Sequence, residues 1–186
     1  MAITLFPDGR IQKNGLEIGT QQGSGLMHQT WYLTAQFTTS AVNSDNFVTG
    51  WAKLQPVNVQ YGSIETGEDM SVSGGVFTFP STGIYELVSK VHGSRSGGSN
   101  KYCNWRTFMS VDSGNTYSIR DQGSSCMTNF GGTNTINIYS TSILNITNAS
   151  TTRIRFGTYG GNNNFTIGSG GFGTLVTFRK LSVDHQ

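Results

Sequence analysis

The side chains that could catalyse a reaction or hold a metal are few and scattered in this sequence. The histidines are His28, His92 and His185, and none has the spacing of a zinc site. The sequence has no GxSxG nucleophile elbow and no Walker-type phosphate loop. Its glycine pairs lie between segments of strand character and are interpreted as turns. We therefore expect a protein that is not an enzyme and needs no metal or cofactor.

One acidic cluster stands out, in the segment IETGEDMS, which contains Glu65, Glu68 and Asp69. Three carboxylates in a glycine-containing loop could bind Ca²⁺ through oxygen ligands. Their spacing is not that of an EF-hand loop, and a solvated acidic loop is the common alternative. The sequence leaves both interpretations open.

Aromatic residues among short polar ones indicate a recognition surface. Aromatic rings stack on the apolar faces of sugars, and short polar side chains supply hydrogen bonds at a small entropy cost. Each aromatic residue in a strand also fits a core or subunit-interface position. The candidate ligand-binding residues are Tyr102, Trp105, Tyr159 and Phe165.

Arginines and cysteines leave further alternatives open. Arg153 and Arg155 alternate on one expected strand, where they could meet anionic glycans or another subunit, or be solvated charges. Cys103 and Cys126 could form a disulfide if the fold brings their Cα atoms within about 7 Å. Two unpaired thiols are the interpretation favoured by a reducing compartment.

The composition predicts a β-rich chain. Its 186 residues include 25 Gly and only 3 Pro, and 12% are charged, about half the usual share. Gly, Ser, Thr and Asn are poor helix formers, and the 11 Phe, 7 Tyr and 3 Trp disfavour disorder. A net charge of +2 argues against nucleic acid as a partner. No run of about 20 apolar residues occurs, so we expect no membrane insertion.

Strand-like segments recur at short spacing along the chain, separated by turn residues. Residues 1–25 are predicted to form a short β arm whose hairpin carries Ile3, Leu5, Phe6 and Ile11, and GTQQGSG at 19–25 is a flexible break. Residues 26–186 are predicted to form the main domain. About ten strands there indicate an all-β antiparallel jelly-roll sandwich.

The segment GGVFTFPSTGIYELVSKV, residues 74–91, resembles the signature of the complement/tumour-necrosis-factor-like jelly-roll family. That signature is a Gly-x-Phe-x-x-Pro-x-x-Gly-x-Tyr pattern joining two central strands. The segments AQF at 35–37 and GFGTL at 171–175 resemble the first and closing strands of the family. The resemblance covers about residues 28–181 and implies a threefold trimer that associates through an aromatic-rich side. The matching positions are Gly75, Phe77, Pro80, Gly83 and Tyr85.

The opening ITLFPDGRIQKNG and the style of the signature resemble bacteriophage virion proteins that use this fold as a fibre knob or capsid decoration. We therefore expect a structural virion protein on the particle exterior, bound to other virion proteins through residues 1–25. The N-terminus shows no secretion signal, so we expect synthesis in the host cytoplasm. The alternatives are a receptor-binding adhesin that recognises host surface glycans and a secreted trimeric signalling or lectin-like module.

Overall fold

The computed structural model describes residues 3–5, 10–13, 16–20, 27–39, 43–54, 67–96, 101–127, 133–160, 165–168 and 173–182. The regular structure of these residues is entirely β-strand. Every strand pairing among them is antiparallel. The predicted all-β antiparallel class is therefore confirmed. None of the described residues belongs to a helix long and apolar enough to cross a membrane.

The N-terminal residues form a small sheet of their own, in the order β1–β2–β3. Its strands are β1 (Ile3–Leu5), β2 (Arg10–Lys13) and β3 (Leu16–Thr20). Leu5 lies opposite Ile11, so the predicted hairpin forms, and β3 adds a third strand. Strand β3 runs through Gly19 and Thr20, where the flexible break was expected to begin. Phe6 and residues 21–26 lie outside the described residues.

The remaining strands build the two layers of a jelly-roll sandwich. They are β4 (His28–Leu33), β5 (Phe37–Thr38), β6 (Asn46–Phe47), β7 (Trp51–Lys53), β8 (Ser71–Ser73), β9 (Val76–Thr78), β10 (Gly83–Ser96), β11 (Lys101–Ser110), β12 (Ser118–Met127), β13 (Thr133–Ile146), β14 (Arg153–Gly160), β15 (Phe165–Ile167) and β16 (Leu175–Ser182).

The first layer is a seven-stranded sheet centred on β10. One edge of β10 pairs with β13, and its other edge pairs first with β16 and then with β15. Strands β4 and β7 continue the sheet beyond β16, and β5 extends it beyond β15. Tyr85, Leu87, Ser89 and Val91 of β10 are buried, whereas the residues that alternate with them are at least partly exposed. This period of two places one face of the sheet on the core.

The second layer is a six-stranded sheet with the order β12–β11–β14–β9–β8, and β6 pairs with the distal half of β14. A two-glycine turn joins β8 and β9. Gly74 and Gly75 have φ angles of 55° and 82°, as a type I′ hairpin turn requires. A Cβ on Gly75 would lie 2.5 Å from the carbonyl oxygen of Val48, so no larger residue fits.

An aromatic cluster fills the space between the layers, with Phe77 at its centre. The Phe77 ring is fully buried, and its centroid lies 5.4 Å from that of Trp31 and 5.2 Å from that of Phe178, both in the first layer. It lies 5.5 Å from Phe156 of the second layer. Tyr85 is also fully buried and donates its hydroxyl to the Ser81 carbonyl oxygen at 2.9 Å. Two signature residues are therefore core residues.

In two places the bounds of the strands depend on contacts with distant residues rather than on local sequence. The segments 135–139 and 142–146 form one continuous strand, β13, because it pairs with β10 along its whole length. The β-prone segment 31–39 breaks between β4 and β5. There the Thr34 amide and hydroxyl both donate to the Gly50 carbonyl oxygen, at 2.8 and 2.7 Å, and turn the chain.

Candidate ligand-binding surface

The outward face of the second layer carries the main candidate site. Strand β11 alternates across the sheet, so that Tyr102 and Arg106 point away from the core while Cys103 and Trp105 point into it. The neighbouring strand β14 presents Arg155 outward in the same way, opposite Phe108 in the ladder.

Two of the predicted ligand-binding tyrosines meet on this face. The ring centroids of Tyr102 and Tyr159 are 6.3 Å apart, and the ring planes differ by 27°. Tyr102 is 42% exposed and donates its hydroxyl to Asn43 Oδ1 at 3.3 Å. The pair forms a partly exposed aromatic platform, as stacking on a sugar ring requires.

Arg106 is held in a fixed position beside this platform. Its guanidinium carbon lies 3.9 Å from the ring centroid of Tyr159. Its Nη1 donates to Asp45 Oδ1 at 2.8 Å, and its Nε donates to Gln122 Oε1 at 2.7 Å. These contacts neutralise the charge of Arg106 and orient its plane along the Tyr159 ring.

Arg155 occupies a second aromatic site on the same face. Its guanidinium carbon lies 3.4 Å from the ring centroid of Phe47 and 3.9 Å from that of Tyr117. Burial lowers the pKa of Arg155, with Tyr117 and Asp45 opposing the shift, but an arginine stays charged at physiological pH.

Phe47 packs closely against Gly157 of β14. Strand β6 places Phe47 opposite Gly157, where a Cβ would come within 3.3 Å of the Phe47 ring and 3.1 Å of the Asn46 carbonyl oxygen. We call the surface formed by Phe47, Tyr102, Arg106, Arg155 and Tyr159 the arginine–tyrosine face. It presents flat rings and guanidinium groups on one side of the sheet.

Trp105 and Phe165, the other two candidate ligand-binding residues, are core residues instead. Trp105 is 1% exposed and stacks on Phe156, with centroids 5.5 Å apart. Phe165 is 4% exposed and covers Gly93, where a Cβ would come 2.3 Å from its Cζ. Their ring faces are taken up by packing, so neither can stack on a ligand, and the expectation for both is corrected.

The sequence contains part of the information that separates the surface residues from the core residues among these four aromatic candidates. Tyr102 and Trp105 are three positions apart, so in a regular strand they must point to opposite faces. Phe47 could not be found in this way, because only the long-range pairing of β6 with β14 places it over Gly157. The alternation of Arg153 and Arg155 on one strand face is as expected, with Thr78 and Val76 opposite them.

The outward face of the first layer has a different character. Its exposed residues include Ile84, Tyr139 and Ile143, which are 36%, 65% and 61% exposed. Ile143 and Tyr139 lie opposite Glu86 and Lys90 of β10 in the ladder. We call the surface formed by Ile84, Tyr139 and Ile143 the apolar face. Exposed apolar residues gathered on one face are typical of an interaction surface.

In the described part of the chain, the carboxylates of the acidic loop form ion pairs with lysines. Asp69 Oδ1 accepts hydrogen bonds from Lys53 Nζ and from Gln29 Nε2, both at 2.6 Å, and the Lys53 contact lowers the pKa of Asp69. Glu68 Oε2 lies 3.8 Å from Lys180 Nζ. Glu65 is outside the described residues, and those that are described contain no cluster of three metal-binding side chains. Glu68 and Asp69 thus have lysine partners in the part of the chain that the structure describes.

The two cysteines lie on opposite faces of the second layer. Cys103 is buried and pairs with Ser125 in the ladder, whereas Cys126 is exposed and pairs with Tyr102. Burial raises the pKa of the Cys103 thiol to about 12. Side chains on opposite faces of a sheet cannot be joined by a disulfide, so the unbridged alternative holds for the two residues within one subunit.

The sequence matches no described protein family, and no curated protein matches it. Solved structures show the same fold. Eiger TNF from S. frugiperda superimposes with a TM-score of 0.61 at 8% identity, covering 87% of this chain and 96% of that one. Murine APRIL at pH 5.0 gives a TM-score of 0.59 at 14% identity, covering 84% of this chain and 99% of that one. The chain therefore has the jelly-roll fold of the tumour-necrosis-factor-like proteins.

Proposed function

We propose that the chain is a homotrimeric jelly-roll module, a structural virion protein displayed on the exterior of a phage particle and without enzymatic activity. The observation that carries the trimer is the apolar face, where Ile84, Tyr139 and Ile143 stay exposed in the single chain. A subunit contact would remove this apolar area from water. Closed cyclic symmetry is the usual arrangement for identical subunits.

The N-terminal sheet is proposed to attach the module to the particle. Its strands are three to five residues long, and sheets this small need an apolar surface to cover them. The apolar residues available for such a contact are Ile3, Leu5, Phe6 and Ile11. Other virion proteins, or the matching arms of the trimer, would supply the surface.

Light scattering of the full chain at micromolar concentration tests the trimer. The expected mass is three times the 20.1 kDa of one chain, and a persistent monomer would contradict the proposal. Deletion of residues 1–25 tests the attachment. We expect a soluble, folded trimer that no longer co-purifies with particles. A deletion protein that aggregates or stays unfolded would show that these residues belong to the jelly roll.

Two further candidates are each favoured by one observation. The likeness to Eiger TNF and APRIL fits a secreted trimeric signalling or lectin-like module as well as it fits a virion protein. The arginine–tyrosine face favours an adhesin that recognises host surface glycans. A tagged copy seen by electron microscopy on purified virions would support the virion role. Tagged protein absent from virions but bound to cell surfaces would support the alternatives.

A further inference from the structure

Arg155 carries a charge that no described carboxylate pairs with directly. Asp45, whose charge acts on it from a distance, forms its ion pair with Arg106. The rings of Phe47 and Tyr117 lie close to its guanidinium group, at 3.4 and 3.9 Å. Among the described residues no carboxylate lies within ion-pair distance of it, and its buried Nε has no hydrogen-bond partner. Its N–H groups therefore have capacity for an anionic ligand.

The neighbouring arginines differ from Arg155 in this respect. Arg106 is paired with Asp45 at 2.8 Å. Arg153 donates to the backbone carbonyl oxygens of Ala149, Ser150 and Thr152 at 2.7 to 3.3 Å, which holds the turn before β14. Both guanidinium groups thus have structural partners. Of these three arginines, Arg155 is the one whose guanidinium donors have no partner among the described residues.

We propose that the arginine–tyrosine face binds an acidic saccharide. Arg155 donates to a sugar carboxylate, for which a planar guanidinium is the natural partner, and Tyr102 and Tyr159 stack on neighbouring sugar rings. Residues 155 and 159 are four apart on one strand, about 13 Å, so the ligand is a chain of several sugars. This inference rests on the proposed display of the module at a surface and names the ligand class of that module.

The surroundings favour a saccharide over another polyanion. Asn43 and Gln122 place amide groups beside the tyrosine platform, where they suit sugar hydroxyls. The chain has a net charge of +2, and a nucleic acid would need many more phosphate contacts than one unneutralised arginine supplies. The apolar face belongs to the other layer of the sandwich, so a trimer formed through it leaves this face accessible.

Binding of the full chain to immobilised polygalacturonate and polysialic acid tests the proposal, with neutral dextran and single-stranded DNA as comparison ligands. We expect binding to at least one acidic saccharide and none to dextran. Arg155→Gln should weaken binding about tenfold or more, the loss expected for a charged hydrogen bond. The affinity of Arg155→Lys should fall between that of the wild type and that of Arg155→Gln. Tyr159→Ala should also weaken binding. Arg120→Gln is the matched control, since Arg120 is an exposed arginine of β12 and should change affinity less than twofold.

Three results would overturn the inference: no binding to either acidic saccharide, an equal loss for Arg120→Gln, or DNA binding as tight as saccharide binding. Light scattering of each variant keeps this test separate from the trimer proposal. A stable trimer that does not bind saccharide would contradict the proposed ligand and support the trimeric module. A monomer that still binds saccharide would support the ligand and contradict the trimer. Thermal unfolding of Arg155→Lys shows whether the fold tolerates a change at this position.

Discussion

The aromatic residues on the two outward faces of the sandwich have different surroundings. On the arginine–tyrosine face, Tyr159 has a guanidinium group over its ring, and Tyr102 donates its hydroxyl to an asparagine. On the apolar face, Tyr139 is 65% exposed, and no described residue hydrogen-bonds to its hydroxyl or stacks on its ring. Ile143, four residues along the same strand, is equally open.

This difference separates two kinds of recognition. Rings held by polar partners are ordered before a ligand arrives, so binding loses little conformational entropy. Bare apolar side chains gain most when a second apolar surface covers them completely. One face is therefore suited to a hydrated ligand and the other to a permanent contact between subunits.

The largest expected effect is the loss of both faces together. Phe77→Ala should lower the free energy of unfolding by about 3–5 kcal/mol, because the Phe77 ring contacts aromatic rings of both layers. Tyr85→Ala should cost a similar amount. Chemical denaturation measures both. Stability close to wild type in the two variants would mean that the layers are not joined through this cluster.

Breaking the apolar face alone should change the assembly and not the fold. Ile143→Asp would bury an unpaired carboxylate in the subunit contact, at a cost of several kcal/mol, and should turn the trimer into a folded monomer. Light scattering and circular dichroism measure the two properties. Val111→Asp is the matched control, since Val111 is 60% exposed but lies in the turn after β11. Dissociation by both variants would argue against a specific contact.

Altering the arginine–tyrosine face should leave the assembly intact. Tyr159→Ala removes the ring against which the Arg106 guanidinium and the Tyr102 ring both pack. The free energy of unfolding should fall by about 1 kcal/mol, the usual size of a partly exposed cation–π contact. The trimer mass should not change. A Tyr159→Ala protein that is monomeric would show that the two faces are not independent.

The smallest effect is expected in the turn that links β11 and β12. The hydroxyls of Ser110 and Thr116 donate to the Asp112 carboxylate and lower its pKa to about 2. Because the folded pKa is lowered, this contribution to stability is complete above about pH 4 and is lost as the pH falls towards 2. Carboxyl titration by NMR should show it. Asp112→Asn should make the turn insensitive to pH in this range, with both faces unchanged.

Much of the fold could be predicted from local sequence. The GGVFTFPSTGIY segment contains its own turn residues, and its alternation of apolar and polar residues is enough to place Phe77 and Tyr85 in the core. Short-range signals of this kind depend on steric limits and on the strand period, both of which act over a few residues. The length of β13 could not be predicted from the local sequence. Pairing with β10 keeps the strand continuous across the polar residues at 140–142.

The arginine–tyrosine face depended on both the local sequence and the tertiary structure. Composition indicated a surface rich in aromatic and short polar residues, and the parity of positions along β11 already separated Tyr102 from Trp105. Bringing Tyr102 to Tyr159, and Phe47 to Arg155, required the registers of β11 and β6 against β14. Those registers are set by contacts between residues more than forty positions apart. Sequence patterns determined which face each side chain takes, and only the tertiary structure decided which side chains became neighbours.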